Sequence, residues 1–269
     1  MSRETSRSLR SRARAIRFAR SLVVEARHAG VRRSDCFVVS YPKSGSTWLR
    51  FMLAALVDGV DIDFETVEDV IPSVGHHRRA RTIPNGGRLI KSHEPRKRTY
   101  GRLYRRVVYL ARDPRAVAVS YYWFQLRNGD FTGNLSEFVS AFVTGRVDGY
   151  GTWDRHVDGW LDVAGDGGSV LHVVRYEDLL CDTLGVVRGV ADFLGLEASE
   201  GSVEKVIAAN SRARMAAKEA KSTTLSNRPR AEIPFVRPEG GPARGSLDAP
   251  DADRIVRAFG TTMKRVGYR

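Results

Sequence analysis

Four short runs stand out in the pattern of apolar and polar positions: Cys36-Phe-Val-Val-Ser-Tyr41, Arg88-Leu-Ile-Lys91, Val107-Val-Tyr-Leu-Ala111 and Val170-Leu-His-Val-Val174. They are rich in β-branched and aromatic residues and do not alternate with polar ones, the mark of strands covered on both faces. Helical stretches lie between and after them: Thr47–Val57, a helix from Pro114 to about Leu126, then 135–144, 150–164, 177–194, 199–219 and a closing one from Asp251 to Val266. Proline is tolerated in the first turn of a helix, so Pro114 marks a start and not a break. Residues 58–87 read as irregular, with a short helix near 64–71, and the proline- and glycine-bearing segment 222–250 reads as a long loop. Strands alternating with helices predict one α/β domain over 35–269, a three-layer parallel sheet flanked by helices. Residues 1–34 read as a separate basic arm, with Leu9, Ala13, Ile16, Ala19 and Val23 forming one apolar stripe on a helix.

Composition adds little to this picture, and charge adds more. A chain of 269 residues can bury a core without staples, and two cysteines, Cys36 and Cys181, exclude a disulfide scaffold. No apolar run of ~18 residues predicts a membrane span, and the basic start lacks a signal peptide's apolar core, so a cytoplasmic protein is expected. The formal net charge is +13 and 37 of the 44 basic residues are arginine. Residues 1–34 carry ten arginines against Glu4 and Glu25, and residues 78–106 carry eleven basic residues against Glu94 alone. Two patches in an otherwise acidic chain point to an anionic ligand or surface met at defined places. The arm is expected to dock on the domain or to touch a membrane surface peripherally.

The segment Tyr41-Pro42-Lys43-Ser44-Gly45-Ser46-Thr47-Trp48 lies between a strand and a helix. Amides at a helix start lack intrahelical partners, and the helix dipole favours an anion there. Gly45 permits close backbone approach, Ser44, Ser46 and Thr47 offer hydroxyls, and Lys43 brings a charge. Such a loop would cradle a phosphate-like group. It does not follow the G-x-x-x-x-G-K-[ST] pattern of nucleoside triphosphate binders, because its lysine precedes the glycine.

The whole octapeptide resembles the 5′-phosphosulfate loop of the PAPS-dependent sulfotransferases (PAPS is 3′-phosphoadenosine 5′-phosphosulfate). Three further motifs follow in that family's order: Lys91-Ser92-His93 at the second strand end, Arg112 with Ser120 eight residues on, and Tyr176-Glu177-Asp178 after the fourth strand. The last cofactor element is only partly kept. Phe235-Val-Arg237-Pro238-Glu239-Gly240-Gly241-Pro242-Ala243-Arg244 has proline in place of lysine, no tryptophan follows, and either Arg237 or Arg244 is left as the residue closing over the 3′-phosphate. The phenylalanine that stacks on adenine in relatives is also not evident, since Arg212 follows Ser211.

The resemblance implies a P-loop-like fold, PAPS as donor, PAP as product and no metal. It implies His93 as general base, with Lys43 and Lys91 as catalytic cations. Cofactor binding would fall to Lys43, Ser44, Gly45, Ser46, Thr47, Trp48, Arg112, Ser120, Tyr176, Arg237, Gly240 and Arg244. The acceptor would be a hydroxyl or amine on a small molecule, carbohydrate, lipid or natural product. From the residues themselves, His156 and His172 read as structural, Arg115 as a solvated helix residue, and His76-His77 as no metal pair. The basic patch around Lys91 and His93 is expected to steer the anionic cofactor inward. The other readings are an ATP-dependent P-loop kinase or nucleotidase, with Asp113 as the nearby carboxylate for magnesium, and a nucleic-acid binder, which lacks any accompanying motif.

Overall fold

A computed structural model describes residues 22–59, 62–162, 168–236 and 247–269. The stripe of the arm from Leu9 to Ala19 and the cofactor candidates Arg237, Gly240 and Arg244 lie outside the described residues. The four apolar runs form the strands β1 (Cys36–Ser40), β2 (Leu89–Ser92), β3 (Arg106–Ala111) and β4 (Val170–Arg175). They pair in the order β2-β1-β3-β4, all parallel, with Cys36 opposite both Leu89 and Arg106, and Arg106 opposite Val170. All strand starts therefore share one end of the sheet, and Ser40, Ser92, Ala111 and Arg175 share the other.

Helices cover both faces, which is why the strand sequences do not alternate. The described helices of the body are α1 (Ser46–Asp58), α2 (Val67–Val70), α3 (Arg98–Gly101), α4 (Pro114–Asn128), α5 (Leu135–Val143), α6 (Trp153–Leu161), α7 (Tyr176–Cys181), α8 (Thr183–Leu194), α9 (Glu200–Ala209), α10 (Arg212–Lys221), α11 (Thr223–Ser226) and α12 (Ala249–Arg265). Phe37 and Val39 of β1 point into a core with Phe138, Trp153, Trp160 and Phe259 from α5, α6 and α12. Cys36 and Val38 point into a second core with Leu49, Met52, Val187 and Val203 from α1, α8 and α9.

Two expected long helices are each divided. Asp182 separates α7 from α8 because its carboxylate accepts the Gly185 amide and starts a new helix. Asn210 and Ser211 separate α9 from α10. The helix expected over 150–164 begins at Trp153, after Thr152. The segment 58–87 is tied to β2 by bridges from Ser73 to Lys91 and from Thr82 to Arg88. The segment 222–250 contains α11 and the first turn of α12.

Residues 22–34 pack on the body. The Tyr104 hydroxyl lies 2.9 Å from His28 Nε2, and Tyr100 stacks on the His28 ring with centroids 3.9 Å apart. Arg88 donates to the carbonyl of Gly30 at 2.7 Å and grips Asp35 in a bidentate pair at 3.0 and 2.6 Å. Both side chains are almost wholly buried. Cutting one partner of a buried pair leaves an uncompensated charge at about 3–5 kcal/mol. Arg88→Met is therefore expected to lower the thermal midpoint by roughly 10 °C, measured by calorimetry or circular dichroism.

This geometry corrects the steering expectation for residues 78–106. Arg88 is neutralised inside, and Arg105 and Arg106 sit where β3 starts. That end of the sheet is opposite His93, so these three arginines do not face the site.

Candidate active site

The site is built where β1, β2 and β3 end, the usual place for ligands on a parallel sheet. The chain leaves β1 at Ser40 and turns through Lys43, at φ 67°, and Gly45, at φ 95°. Lysine rarely occupies that left-handed region, and the surroundings must hold it there. Gly45 caps α1 with no side chain bonded to the helix start. Ser44 is fully buried, and its Oγ has no hydrogen-bond partner among the described residues. An orphaned buried hydroxyl beside an uncapped helix start is the arrangement an anion would complete.

Tyr176, at the start of α7, packs its ring on Gly45. A Cβ at position 45 would lie 2.3 Å from Tyr176 Cδ2. Arg112 sits just beyond β3 and donates to the Lys43 carbonyl at 3.0 Å, with its guanidinium 4.3 Å from the Tyr176 ring centroid. Trp48 donates to the carbonyl of Asn210 at 2.7 Å and meets Tyr176 edge-on. Lys43 Nζ lies between the rings of Phe124 and Phe235, 4.2 and 4.3 Å from their centroids. Ser120 of α4 lines the same narrow cleft as Lys43. Lys43, Ser44, Gly45, Ser46, Thr47, Trp48, Arg112, Ser120 and Tyr176 thus converge on one loop and its rim.

His93 follows β2. Its Nδ1 lies 2.8 Å from the Ser40 carbonyl and 3.2 Å from Ser40 Oγ. A carbonyl only accepts, so Nδ1 carries the proton and Nε2 presents a lone pair. Burial first, then the charge of Lys91, holds the imidazole well below its ordinary range, so it is neutral at pH 7. His156 donates from Nε2 to the His93 carbonyl at 3.0 Å and accepts from the Tyr109 hydroxyl at 2.9 Å. Burial pushes His156 down to about 4. The histidine read as structural from sequence therefore braces the backbone of His93.

Lys91 shares the α1-side face of the sheet with Leu89 and Val38. Burial and then Arg50 push its ammonium down to about 8, with Glu68 opposing. Arg50 is itself buried and pairs with Glu68 at 2.9 Å. Asp113 is not poised for a cation, because Arg115 grips it at 2.5 Å and it caps α4. Among the described residues no group of three His, Cys, Asp or Glu side chains is arranged around a metal position.

A second hollow of about 430 Å³ opens at Glu94, the residue after His93. It is lined by Glu94 and Pro95, by Gly149 and Gly151 on either side of Tyr150, and by Val24. The Tyr150 ring stands edge-on to His93 with centroids 6.0 Å apart.

Sequence reasoning missed Ser40 and Tyr109. Their roles arise from tertiary contact, and no spacing announces them.

The chain is similar to known proteins. Residues 33–266 match the family described as the sulfotransferase domain. Mouse sulfotransferase 4A1 is 30% identical over 201 residues, covering 71% of this chain and 70% of that protein. Rat sulfotransferase 2A2 is 32% identical over 61% of this chain and 60% of its own. Mouse sulfotransferase SULT7A1, solved with PAP, superposes with a TM-score of 0.64 at 21% identity, over 87% of this chain and 84% of that one. Retinol dehydratase, solved with androsterone and inactive cofactor PAP, gives 0.65 at 21% identity, over 89% and 83%. With the family profile spanning most of the chain and a curated relative at this identity, the protein belongs to the sulfotransferase family.

Proposed function

We propose that the protein moves a sulfuryl group from PAPS to a hydroxyl or amine of a small acceptor, with His93 as general base. The observation that carries this reading is the His93 tautomer: a neutral imidazole, anchored through Nδ1, leaves Nε2 free to take a proton beside an uncapped phosphate-type loop. PAPS, when bound, supplies the SO3 group and leaves as PAP. The loop's amides and the Ser44, Ser46 and Thr47 hydroxyls would hold its 5′ end. Arg112 and Ser120 would hold the 3′-phosphate, and Trp48 and Tyr176 would flank the adenine. The solved neighbours that carry PAP support PAPS as the donor. Lys43 and Lys91 would offset charge growing on the departing oxygen.

The acceptor would sit in the 430 Å³ hollow lined by Glu94 and Pro95, the two residues after His93, a volume suited to a small molecule. The acceptor oxygen or nitrogen attacks sulfur, its proton passes to His93 Nε2, and the sulfur–oxygen bond to PAP breaks. A PAPS-dependent screen across phenols, steroids, sugars and lipids tests the reading. Sulfated product from the wild type and none from His93→Ala is expected; no product with any class counts against it.

The pKa directions fix a pH profile. His93 must be deprotonated and Lys91 protonated. The value of kcat/KM for PAPS should hold level through neutrality, fall only well below pH 6.5, and fall again as Lys91 deprotonates near pH 8. Lys91→Arg should remove the alkaline limb and keep the acid one.

The arm adds a proposal of peripheral membrane contact. Among the described residues no helix is long and apolar enough to cross a membrane. Leu22 and Val23 are exposed, whereas Val24 and His28 are buried in the body. A deletion testing the arm should therefore end before residue 22. Loss of residues 1–21 should reduce binding to anionic vesicles and spare PAP affinity; equal vesicle binding by both forms refutes the contact.

A further inference from the structure

The cleft that holds Lys43 and Ser120 is closed on one side by Pro234 and Phe235. These residues belong to the stretch after α11, and one largely covered ion pair fixes that stretch. Arg127, at the end of α4, donates to Glu219 of α10 at 2.7 Å, to the Ile233 carbonyl at 2.8 Å and to the Leu225 carbonyl at 2.6 Å. Its own carbonyl accepts the Arg230 amide at 3.1 Å. Glu219 in turn accepts the amides of Phe235 and Val236 at 2.6 and 2.7 Å. The ring of Phe235 then reaches Lys43 Nζ and meets Phe64 edge-on.

Arg127 and Glu219 are 92 residues apart in sequence; Arg127 is buried and Glu219 is largely covered, its side chain 13% exposed. The arginine's remaining Nε has no hydrogen-bond partner among the described residues. A desolvated pair whose carboxylate holds two consecutive backbone amides constrains a loop far more tightly than an exposed pair would. Little else in this stretch is regular structure, so its position over the phosphate loop depends on that pair.

We propose that Arg127 and Glu219 form a latch that positions residues 225–236, and Phe235 with them, over Lys43, and that opening of this latch gates release of the nucleotide product. The gating half rests on the reading of the cleft as a PAPS site. The two residues are positioning residues: they act through Phe235 and touch no reacting atom. A nucleotide held at Lys43 and Ser120 leaves past Pro234 and Phe235, and those two cannot swing away while Glu219 holds the amides of Phe235 and Val236.

The experiment is stopped-flow dissociation of PAP from the wild type, Glu219→Gln, Phe235→Ala and the double variant, alongside amide hydrogen exchange of the wild type. Glutamine keeps the shape but loses the charge. Release should quicken about 10- to 100-fold in Glu219→Gln, the effect of weakening charge-assisted hydrogen bonds. Because both changes act on one element, the double variant should release PAP no faster than the faster single variant. KM for PAPS should rise while kcat does not fall, whereas a mere loss of structure would lower kcat. In the free wild type the amides of Phe235 and Val236 should be protected, and more so with PAP. An unchanged release rate in folded Glu219→Gln, additive effects in the double variant, or unprotected amides would overturn the latch. A wild type that binds no PAP overturns the nucleotide reading and the gating with it; amide protection in the free chain still decides whether the latch itself exists.

Discussion

His93→Ala is expected to lower kcat by about 10²- to 10⁴-fold while leaving PAP affinity nearly unchanged. The asymmetry follows from the geometry. His93 is held by the Ser40 carbonyl and buttressed by His156, not by the phosphate loop, so its removal leaves the anion cradle intact. On the general-base reading, loss of Nε2 leaves the acceptor to give its proton to water. Steady-state turnover together with a PAP titration separates the two effects. An equal loss of affinity and turnover would mean that His93 binds the donor instead of accepting a proton. A secondary expectation concerns stability. His28, His93 and His156 all have lowered folded-state pKa values because of burial. The unfolded chain binds protons first as pH falls below 6.5, so stability should decline there and be fully present above it.

Gly45→Ala is expected to weaken PAP binding by about 100-fold or more. Two penalties coincide at this position. The backbone sits at φ 95°, a region costly for any residue with a Cβ, by about 1–2 kcal/mol. The added carbon would also meet the Tyr176 ring 2.3 Å away. Relief requires moving either the ring or the loop. The ring carries the stacked Arg112 guanidinium, and Arg112 holds the Lys43 carbonyl, so the displacement spreads through the cradle. Gly195→Ala is the control. Its φ is 71° and nothing lies within 4 Å of the new carbon. It should lose about 1 kcal/mol of stability from strain alone and keep PAP affinity. Calorimetric titration with PAP and thermal melts of both variants check the pair.

The strands were legible because coverage on both faces makes each one a continuous apolar run. Their common order at one sheet edge also makes the loop after β1 and the residues after β2 and β3 neighbours, so Lys43, His93 and Arg112 could be grouped from sequence. The helix divisions at Asp182 and Asn210 were not legible. At Asp182 a capping side chain restarts the backbone hydrogen bonding without disturbing the apolar periodicity around it, and at Asn210 the side-chain amide donates back to the Val206 carbonyl and closes α9. Charge misled for a different reason. Arg105 and Arg106 are near Lys91 in sequence, yet a β-strand advances about 3.3 Å per residue. The end of β3 that joins the site is therefore ~16 Å from Arg106. The bracing of His93 by His156 and the latch between Arg127 and Glu219 join residues 63 and 92 positions apart. Each member taken alone resembles an ordinary buried histidine or a surface charge, and only the packed fold reveals the partnership.

The loop from Tyr41 to Trp48 is proposed to bind a 3′-phosphoadenosine nucleotide and not a nucleoside triphosphate with magnesium. Calorimetric titration of the wild type with PAP and, separately, with ATP, each with and without Mg²⁺, distinguishes the two. One PAP per chain is expected, bound more tightly than ATP, with an affinity that Mg²⁺ does not change and that Arg112→Ala weakens. Magnesium-dependent ATP binding with no detectable binding of PAP would overturn the assignment.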